Sequence, residues 1–339
     1  MKLDLIGDIH GELPALQSLL HELGYRPDAD GDPLHPDDRH LLFLGDLVDR
    51  GAHSLEVVEL VQRLSLKGRA SCVMGNHEYN LVAWSMKLPR YEEPKDSNRK
   101  TTEDVNDRRA RWNAVLPFLR ELPIGIALPD LRVIHANWHV PSLNAVAPIL
   151  TPTGTRPKTF SEAQRWIASH IAVDTPFTET GLKPGLPPRP PRVEGKTKED
   201  APHEILIKGF EFGPVEPFPD SEGKLRKQVR VTWWLEPNAP VLRDRAQVVG
   251  HYWNLPPIDD NFCPPFPSGH QKLRRWQSAH APNIPARGRA NLRGDVACID
   301  FQGLTLASKT LACVGALRWP EREIVWATGT RTRSDGSDA

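Results

Sequence analysis

Short apolar runs alternate with helix-like patterns over the first third of the chain. The runs KLDLIG (2–7), HLLFLG (40–45) and SCVMG (71–75) are typical of buried strands. Between them, residues 13–23 and 54–64 place leucine and valine at the three- and four-residue spacing of a helix with one apolar face. This β-α-β-α-β order predicts a layered α/β fold with parallel strands.

The pattern changes in the rest of the chain. Further strands are predicted at 124–135, 228–236 and 246–251 and within DVACID, TLACVGALRW and EIVWA, and a helix is predicted at 160–172. Residues 90–111 are mixed in charge, which favours a solvated loop and helix face. Ten prolines between 176 and 219 indicate an irregular insert. We therefore predict one domain over 1–328 and a frayed polar tail over 329–339.

Composition excludes some classes of protein. Lys plus Arg and Asp plus Glu are both 43, so the net charge indicates neither a nucleic-acid partner nor a membrane surface. The four cysteines form no C-x-x-C pair, which argues against a zinc cage or a disulfide framework. We find no apolar run long enough to span a bilayer. These features predict a cytoplasmic protein.

Candidate chemistry begins where the first strand ends. Asp8 and His10 are two residues apart, so in an extended chain both side chains point to the same side. Gly7 and Gly11 permit a tight turn around them. Because aspartate and glycine also build ordinary turns, this pair alone does not separate a turn from half of a metal site.

The same arrangement recurs at four more predicted strand ends. These are followed by GDLVDRG (45–51), by GNHE (75–78), by His135 and by Gly250-His251. Ligands bind at the carboxyl ends of strands in α/β sheets, and five independent coincidences are a poor explanation of the pattern. The sequence therefore predicts a metal site. Its candidate ligands are Asp8, His10, Asp46, Asn76, His135 and His251.

Two metal ions fit these ligands better than one. Six groups overfill a tetrahedral site, and two ions about 3.5–4 Å apart need a bridging carboxylate. Asp46 is the candidate bridge because its strand lies between those that carry other ligands. Carboxylate, amide and imidazole ligands without thiolate suit manganese, with iron or zinc as alternatives.

The motifs GDIHG, GDLVDRG and GNHE, in this order over residues 3–80, resemble the calcineurin-like metallophosphoesterases. They are most similar to the branch of serine/threonine protein phosphatases and symmetrical dinucleoside-tetraphosphate hydrolases. The resemblance is weaker at His135 and His251 and continues faintly over CIDFQGLTLASKTLACVGALRWPE. It implies an α/β/β/α sandwich and a two-metal hydrolase that uses a bridging hydroxide. It also divides the ligands: Asp8, His10 and Asp46 for one metal, and Asp46, Asn76, His135 and His251 for the other.

The resemblance further implies that His77 and Asp49 form a catalytic pair and that Arg50 grips the phosphoryl oxygens. An imidazole is suited to donate a proton to a leaving alkoxide, and a guanidinium fork matches phosphate. The alternatives are an ordinary buried histidine for His77 and a surface ion pair for Arg50. We expect Glu78 to support the site by a hydrogen bond rather than to bind metal, and His139 to lie at the surface.

The expected activity is hydrolysis of phosphate monoesters or phosphoanhydrides, most like a protein phosphatase. The first alternative is a symmetrical dinucleoside polyphosphate hydrolase, so the partner is a phosphorylated protein or nucleotide. A non-catalytic binding protein on a retired phosphoesterase scaffold is the alternative of another class. Arg226, Arg230 and Arg243 are candidates for a second phosphate-binding arginine. The basic stretch 270–293 is either a nucleotide-binding surface or a solvated loop.

Overall fold

The computed structural model describes residues 2–88, 91–150, 202–212, 218–219, 225–226, 229–230, 233, 245–252, 296–300, 314–329 and 331–333. The predicted helix at 160–172, Arg243 and the basic stretch 270–293 lie outside the described residues. So does most of the proline-rich insert.

The described strands and helices follow the order predicted for the first third of the chain. The strands are Leu3–Ile6 (β1), Arg26–Pro27 (β2), Pro33–Leu34 (β3), His40–Phe43 (β4), Ala70–Cys72 (β5), Gly125–Ala127 (β6), Leu131–Ile134 (β7), Glu211–Phe212 (β8), Phe218–Pro219 (β9), Leu225–Arg226 (β10), Val229–Arg230 (β11), Ala246–Val249 (β12), Val296–Cys298 (β13), Gly315–Trp319 (β14), Glu323–Trp326 (β15) and Arg331–Arg333 (β16). The helices are Leu13–Leu23 (α1), Ser54–Leu66 (α2), Asn76–Ser85 (α3), Arg99–Asp107 (α4), Arg109–Arg120 (α5), Val140–Leu150 (α6) and Pro202–Lys208 (α7). A 3-10 turn at Asp96–Asn98 precedes α4.

Two sheets carry the fold. The first has the strand order β16-β15-β14-β1-β4-β5, and the second has the order β13-β12-β7-β6. β1, β4 and β5 are parallel to one another, as the sequence predicts, and β14 returns antiparallel to β1. In the second sheet, β7, β12 and β13 are parallel. β4 lies between β1 and β5, so the residues after these strands meet at one edge.

The sheets pack face to face between layers of helix. Leu3 and Leu5 of β1 join one apolar cluster with Val133 of β7 and Val248 of β12. Ile6, on the other face of β1, joins a second cluster with Leu16 of α1. Because side chains alternate across a strand, β1 separates an inter-sheet core from a helix-facing core. This is the α/β/β/α sandwich that the resemblance implies.

A buried ion-pair cluster connects β1 to its neighbours. The carboxylate of Asp4 accepts hydrogen bonds from Arg39 Nε at 3.0 Å, Arg318 Nε at 3.1 Å and Tyr25 Oη at 3.0 Å. Asp4 is fully buried, and the Arg39 side chain is only 3% exposed. The cluster therefore joins β1, the segment before β4, and β14 through groups that depend on one another for pairing.

The α1 and α2 predictions are confirmed, although α2 extends two residues further than its apolar spacing indicates. One other prediction is wrong, because residues 331–333, expected to belong to a frayed tail, form β16 and pair with β15. The mixed-charge segment at 90–111 has the solvated helix face that the sequence predicts, but it also buries Asn98, Thr101 and Val105. None of the described helices combines the length and apolar character required to cross a membrane.

Candidate metal centre

All six sequence-predicted ligands lie near the carboxyl ends of parallel strands. Asp8 follows β1, Asp46 follows β4, and Asn76 begins α3 after β5. In the second sheet, His135 directly follows β7 and His251 comes two residues after β12. All six side chains are buried. The ends of the two sheets meet there, since the backbone N–H of His251 donates to Asp8 Oδ1 at 3.2 Å and His135 Nε2 lies 3.4 Å from Asp46 Oδ2.

The carboxylate of Asp46 lies among three imidazoles. Asp46 Oδ2 is 3.4 Å from His135 Nε2, 3.7 Å from His10 Nε2 and 3.9 Å from His77 Nε2. The other oxygen, Oδ1, accepts a hydrogen bond of 3.0 Å from the backbone N–H of His77. Oδ2 is therefore the oxygen that faces the surrounding ring nitrogens.

These separations suit ligands of a shared cation. Two ligands about 2.1 Å from one ion at a tetrahedral angle lie about 3.4 Å apart, longer than a normal hydrogen bond. His10, Asp46 and His77 form one group whose ligand atoms lie within 4.8 Å of one another, and Asp46, His135 and His251 form a second. The first group contains His77 in place of Asp8, which the sequence predicts as a ligand. Asp46 belongs to both groups, and the donor set could hold two divalent ions.

Hydrogen bonds orient two of the imidazoles. His10 Nδ1 lies 2.9 Å from the carbonyl oxygen of Val48, and His135 Nδ1 lies 2.7 Å from that of Leu44. Since a carbonyl only accepts, each Nδ1 carries the proton and each Nε2 is left as a ligand atom. His135 Nε2 also lies 3.3 Å from Asn76 Oδ1, so an imidazole nitrogen and an amide oxygen, both potential metal ligands, are neighbours.

Glu78 holds the loop that presents Asp46. Its carboxylate accepts backbone hydrogen bonds from Asp46 at 2.7 Å, Leu47 at 2.7 Å, Val48 at 3.1 Å and Gly75 at 3.2 Å. Burial, together with the charge of Asp46, raises the pKa of Glu78 to about 7. The four N–H donors act in the opposite direction because they favour the ionised carboxylate. Glu78 thus makes the supporting contacts that the sequence predicts for it.

Backbone strain concentrates at the same residues. Eight non-glycine residues in the described part of the chain have positive φ, and five of them are candidate site residues. These are His10 (47°), Asp46 (50°), Asp49 (74°), Arg50 (63°) and His251 (62°). Such conformations cost about 1–3 kcal/mol each and persist only where the surrounding structure enforces them, typically at functional sites.

A glycine permits the close approach of α3 to Asp46. A Cβ atom on Gly75 would lie 2.3 Å from Asp46 N and 2.3 Å from Asp46 Oδ1. The φ of Gly75 is −91°, which any residue can adopt. Gly75 is therefore needed here for space rather than for conformational freedom.

The buried carboxylates and imidazoles of the site shift one another's pKa values. Burial raises the pKa of Asp8, and the charges of Asp300 and Asp46 add to this effect. Burial also acts to raise the pKa of Asp46, but the neighbouring imidazoles hold it well below its usual value. For His135, burial lowers the pKa and the charge of Asp46 outweighs it, so the pKa rises to about 10. Two carboxylates in this buried region would favour a bound cation.

His77 and Asp49 are paired beside this centre. His77 Nδ1 lies 2.6 Å from Asp49 Oδ2, and the backbone N–H of Asp49 donates to Ser54 Oγ at 2.9 Å. Arg50 is half-buried, and burial together with the charge of Arg50 lowers the pKa of His10. The His77–Asp49 contact is that of a buried hydrogen-bonded pair.

Three residues near the site were missed by the sequence interpretation. Asn98 contacts Asp49 and His77, Ser54 positions the Asp49 backbone, and the buried Asp300 raises the pKa of Asp8. The strand-end position of Asp300 after β13 was an available signal. The expectation for His139 is wrong, because this residue is buried and its Nδ1 lies 2.7 Å from Ser142 Oγ. Arg226 and Arg230 lie in β10 and β11.

Comparison with known proteins gives a family match over the first half of the chain. The model of a family described as calcineurin-like phosphoesterase matches residues 1–169. An asymmetrical bis(5'-nucleosyl)-tetraphosphatase, PrpE, of Bacillus thuringiensis (strain Al Hakam) is 50% identical over 78 residues, which are 23% of this chain and 31% of that protein. Its namesake from Geobacillus sp. (strain WCH70) is 52% identical over 77 residues, again 23% and 31%. The alignments thus span less than a third of the length of these relatives.

Among solved structures, similarity extends further at lower identity. A cold-active protein-tyrosine phosphatase of a psychrophilic Shewanella species aligns with 97% of this chain and 79% of its own, at 15% identity and a TM-score of 0.47.

Proposed function

Since residues 1–169 belong to the calcineurin-like phosphoesterase family, we propose that this protein is a two-metal phosphoesterase that hydrolyses phosphate monoesters or phosphoanhydrides. The observation that carries the proposal is the position of Asp46. Its Oδ2 atom faces imidazoles of both groups of potential ligands, so one carboxylate can bridge two cations. The supporting loop and the strained backbone around it favour a functional site over an ordinary buried cluster.

In this proposal the ligands divide as the family resemblance implies. Asp8, His10 and Asp46 would hold one cation, and Asp46, Asn76, His135 and His251 would hold the other. The bound cations would acidify a water molecule for attack on phosphorus and stabilise charge on the phosphoryl oxygens. Manganese is our first candidate, with iron or zinc as alternatives, because every proposed ligand supplies oxygen or imidazole nitrogen.

The other residues act on the substrate. His77 donates a proton to the leaving oxygen from Nε2, because its Nδ1 is held by Asp49. Asp49 fixes the ring and stabilises its charged form. Arg50, with its planar fork of donors, binds the phosphoryl oxygens beside His10.

For the substrate, we favour a dinucleoside polyphosphate. The sequence interpretation leaned towards a phosphorylated protein, but the curated relatives carry the name of a nucleotide hydrolase. These relatives are named asymmetrical, whereas the branch suggested by the motifs contains symmetrical hydrolases. The two modes differ in the bond that water breaks, so their products distinguish them.

Product analysis tests both the activity and the substrate. We would incubate the manganese-loaded protein with diadenosine tetraphosphate, with a phosphopeptide and with p-nitrophenyl phosphate. ATP and AMP together indicate asymmetrical cleavage of the dinucleotide, and ADP alone indicates symmetrical cleavage. Phosphate release from the peptide without dinucleotide turnover supports a protein phosphatase and overturns the proposed substrate.

Two variants separate turnover by this site from contamination. Asp46→Asn should abolish turnover and metal loading, because its amide cannot bridge two cations as a carboxylate does. Asp107→Asn makes the same chemical change at an exposed position at the end of α4 and should leave both intact. Metal-loaded protein with no turnover of any of the three substrates would overturn the proposal and favour a binding protein on the same scaffold.

A further inference from the structure

Asn98 lies against the proposed catalytic pair although it comes from the mixed-charge segment. Its side chain is 1% exposed. Its amide nitrogen donates hydrogen bonds to Asp49 Oδ2 and, at 3.2 Å, to the carbonyl oxygen of His77. One neutral side chain thus contacts both members of the pair.

The surroundings establish which way the amide points. Both groups that Nδ2 contacts are oxygens that can only accept, and Ser97 Oγ donates to Asn98 Oδ1 at 3.3 Å. Exchanging the amide oxygen and nitrogen would place an acceptor against two acceptors. The arrangement therefore requires a donor at this position.

An ordinary helix-capping role does not explain the residue. Asn98 occupies the N-cap position of α4, where an asparagine side chain commonly accepts a hydrogen bond from the first helical turn. It makes no such bond to the described first turn of α4. Its amide is directed instead towards the start of α3 and the loop that carries Asp49.

The Asp49 carboxylate relies on few contacts. Oδ2 receives both His77 Nδ1–H and the Asn98 amide, whereas Oδ1 has no hydrogen-bond partner among the residues that the structure describes. Without Asn98, the carboxylate could rotate about its terminal torsion while keeping only its link to His77. The His77 ring would then no longer be held in one orientation, and the direction of its Nε2 atom would vary.

We propose that Asn98 is a positioning residue that locks the His77–Asp49 pair in the orientation needed for proton transfer. This inference rests on the proposed function, because it assigns the pair a catalytic role. The neutral amide holds the carboxylate without adding a positive charge, so the negative charge of Asp49 remains available to stabilise protonated His77. The proton itself still passes from His77 to the leaving oxygen.

The dependence of kcat on the leaving group of the substrate distinguishes this positioning role from a general contribution to the fold. An alkoxide needs a proton to leave, whereas p-nitrophenolate leaves readily without one. For Asn98→Ala we expect kcat to fall about 10- to 100-fold on an alkyl phosphate such as glycerol phosphate, the size of one hydrogen bond to a charged group. The fall on p-nitrophenyl phosphate should be several-fold smaller, with KM and metal content unchanged.

Two further variants sharpen the comparison. Asn98→Asp keeps the shape but places a carboxylate against Asp49, so its loss on the alkyl substrate should exceed that of Asn98→Ala. Arg99→Ala removes the adjacent exposed side chain, which pairs with Asp96 at 3.8 Å, and should behave as wild type. Equal losses on both substrates in Asn98→Ala, or none, would overturn the positioning role.

A measurement independent of activity accompanies the kinetics. In ¹⁵N-labelled protein, we expect the Nδ1–H signal of His77 to lie at low field and to exchange slowly. In Asn98→Ala it should move upfield and exchange faster. If the wild-type protein is inactive but this change occurs, the proposed function fails while the positioning contact stands. An unchanged signal would contradict the positioning contact itself.

Discussion

Replacement of Gly75 by alanine should remove the metals without removing the ligands. The added Cβ would lie 2.3 Å from Asp46 Oδ1 and 2.3 Å from Asp46 N, where ordinary contacts begin at 3.4 Å. The backbone and carboxylate of Asp46 must therefore shift relative to residue 75 by roughly 1 Å, about five times the tolerance of roughly 0.2 Å for a metal ligand. Because the φ of Gly75 is −91°, alanine adds steric overlap but no conformational strain.

The expected result is a loss of both cations and a modest loss of stability. Overpacking of this kind costs about 1–3 kcal/mol, so the variant should fold. Metal analysis after gel filtration should show far less than the wild-type content, and turnover should fall at least about 100-fold, as expected for a 1 Å displacement at a reacting centre.

Gly31→Ala provides the control for stability. Apart from its two chain neighbours, no atom of the described residues lies within 4 Å of its added Cβ, but its φ of +82° makes alanine strained. It should therefore destabilise the protein by about 1–2 kcal/mol while retaining the metals and turnover. Wild-type metal content and activity in Gly75→Ala would refute the inference that the position of Asp46 determines metal binding.

Three further outcomes are expected. His77→Asn should retain both metals, because Asp46 Oδ1 is bound by the backbone N–H of residue 77, while turnover falls about 10²–10⁴-fold; loss of metal would contradict the assignment. Asp46 raises the pKa of His135 to about 10, so metal binding below that pH should release a proton and should strengthen as the pH rises. Calorimetry in buffers of different ionisation enthalpy measures the proton release, and no release would refute the pairing of His135 with Asp46. Asp4→Asn should lower the free energy of unfolding by about 1.5–3 kcal/mol in urea titrations, because an amide replaces the carboxylate that Arg39 and Arg318 share while Arg39 keeps its pair with Glu321. A change below about 0.5 kcal/mol would show that the cluster contributes little.

The sequence predicts the elements that depend on local periodicity. The leucines of residues 13–23 repeat at helical spacing, and α1 has these bounds. The ends of β1, β4 and β5 are also predictable from the sequence, because glycines flank the polar residues that follow these strands. Because parallel strands present their carboxyl ends at one edge of a sheet, the sequence predicts that Asp8, Asp46 and Asn76 lie together.

The missed features depend on contacts between distant residues. Asn98 meets Asp49 across 49 positions in the sequence, and nothing in the local pattern distinguishes it from a helix cap. The strand β16 is polar in sequence and exists because β15 offers an edge for pairing. His139 has no apolar periodicity to mark it as buried, and its burial follows from the packing of its surroundings.

Anomalous diffraction from crystals of the manganese-loaded protein tests the central claim most directly. The proposal predicts two peaks about 3.5–4 Å apart, with Asp46 Oδ2 within bonding distance of both. A single peak, or two peaks that share no contact with Asp46, would contradict it.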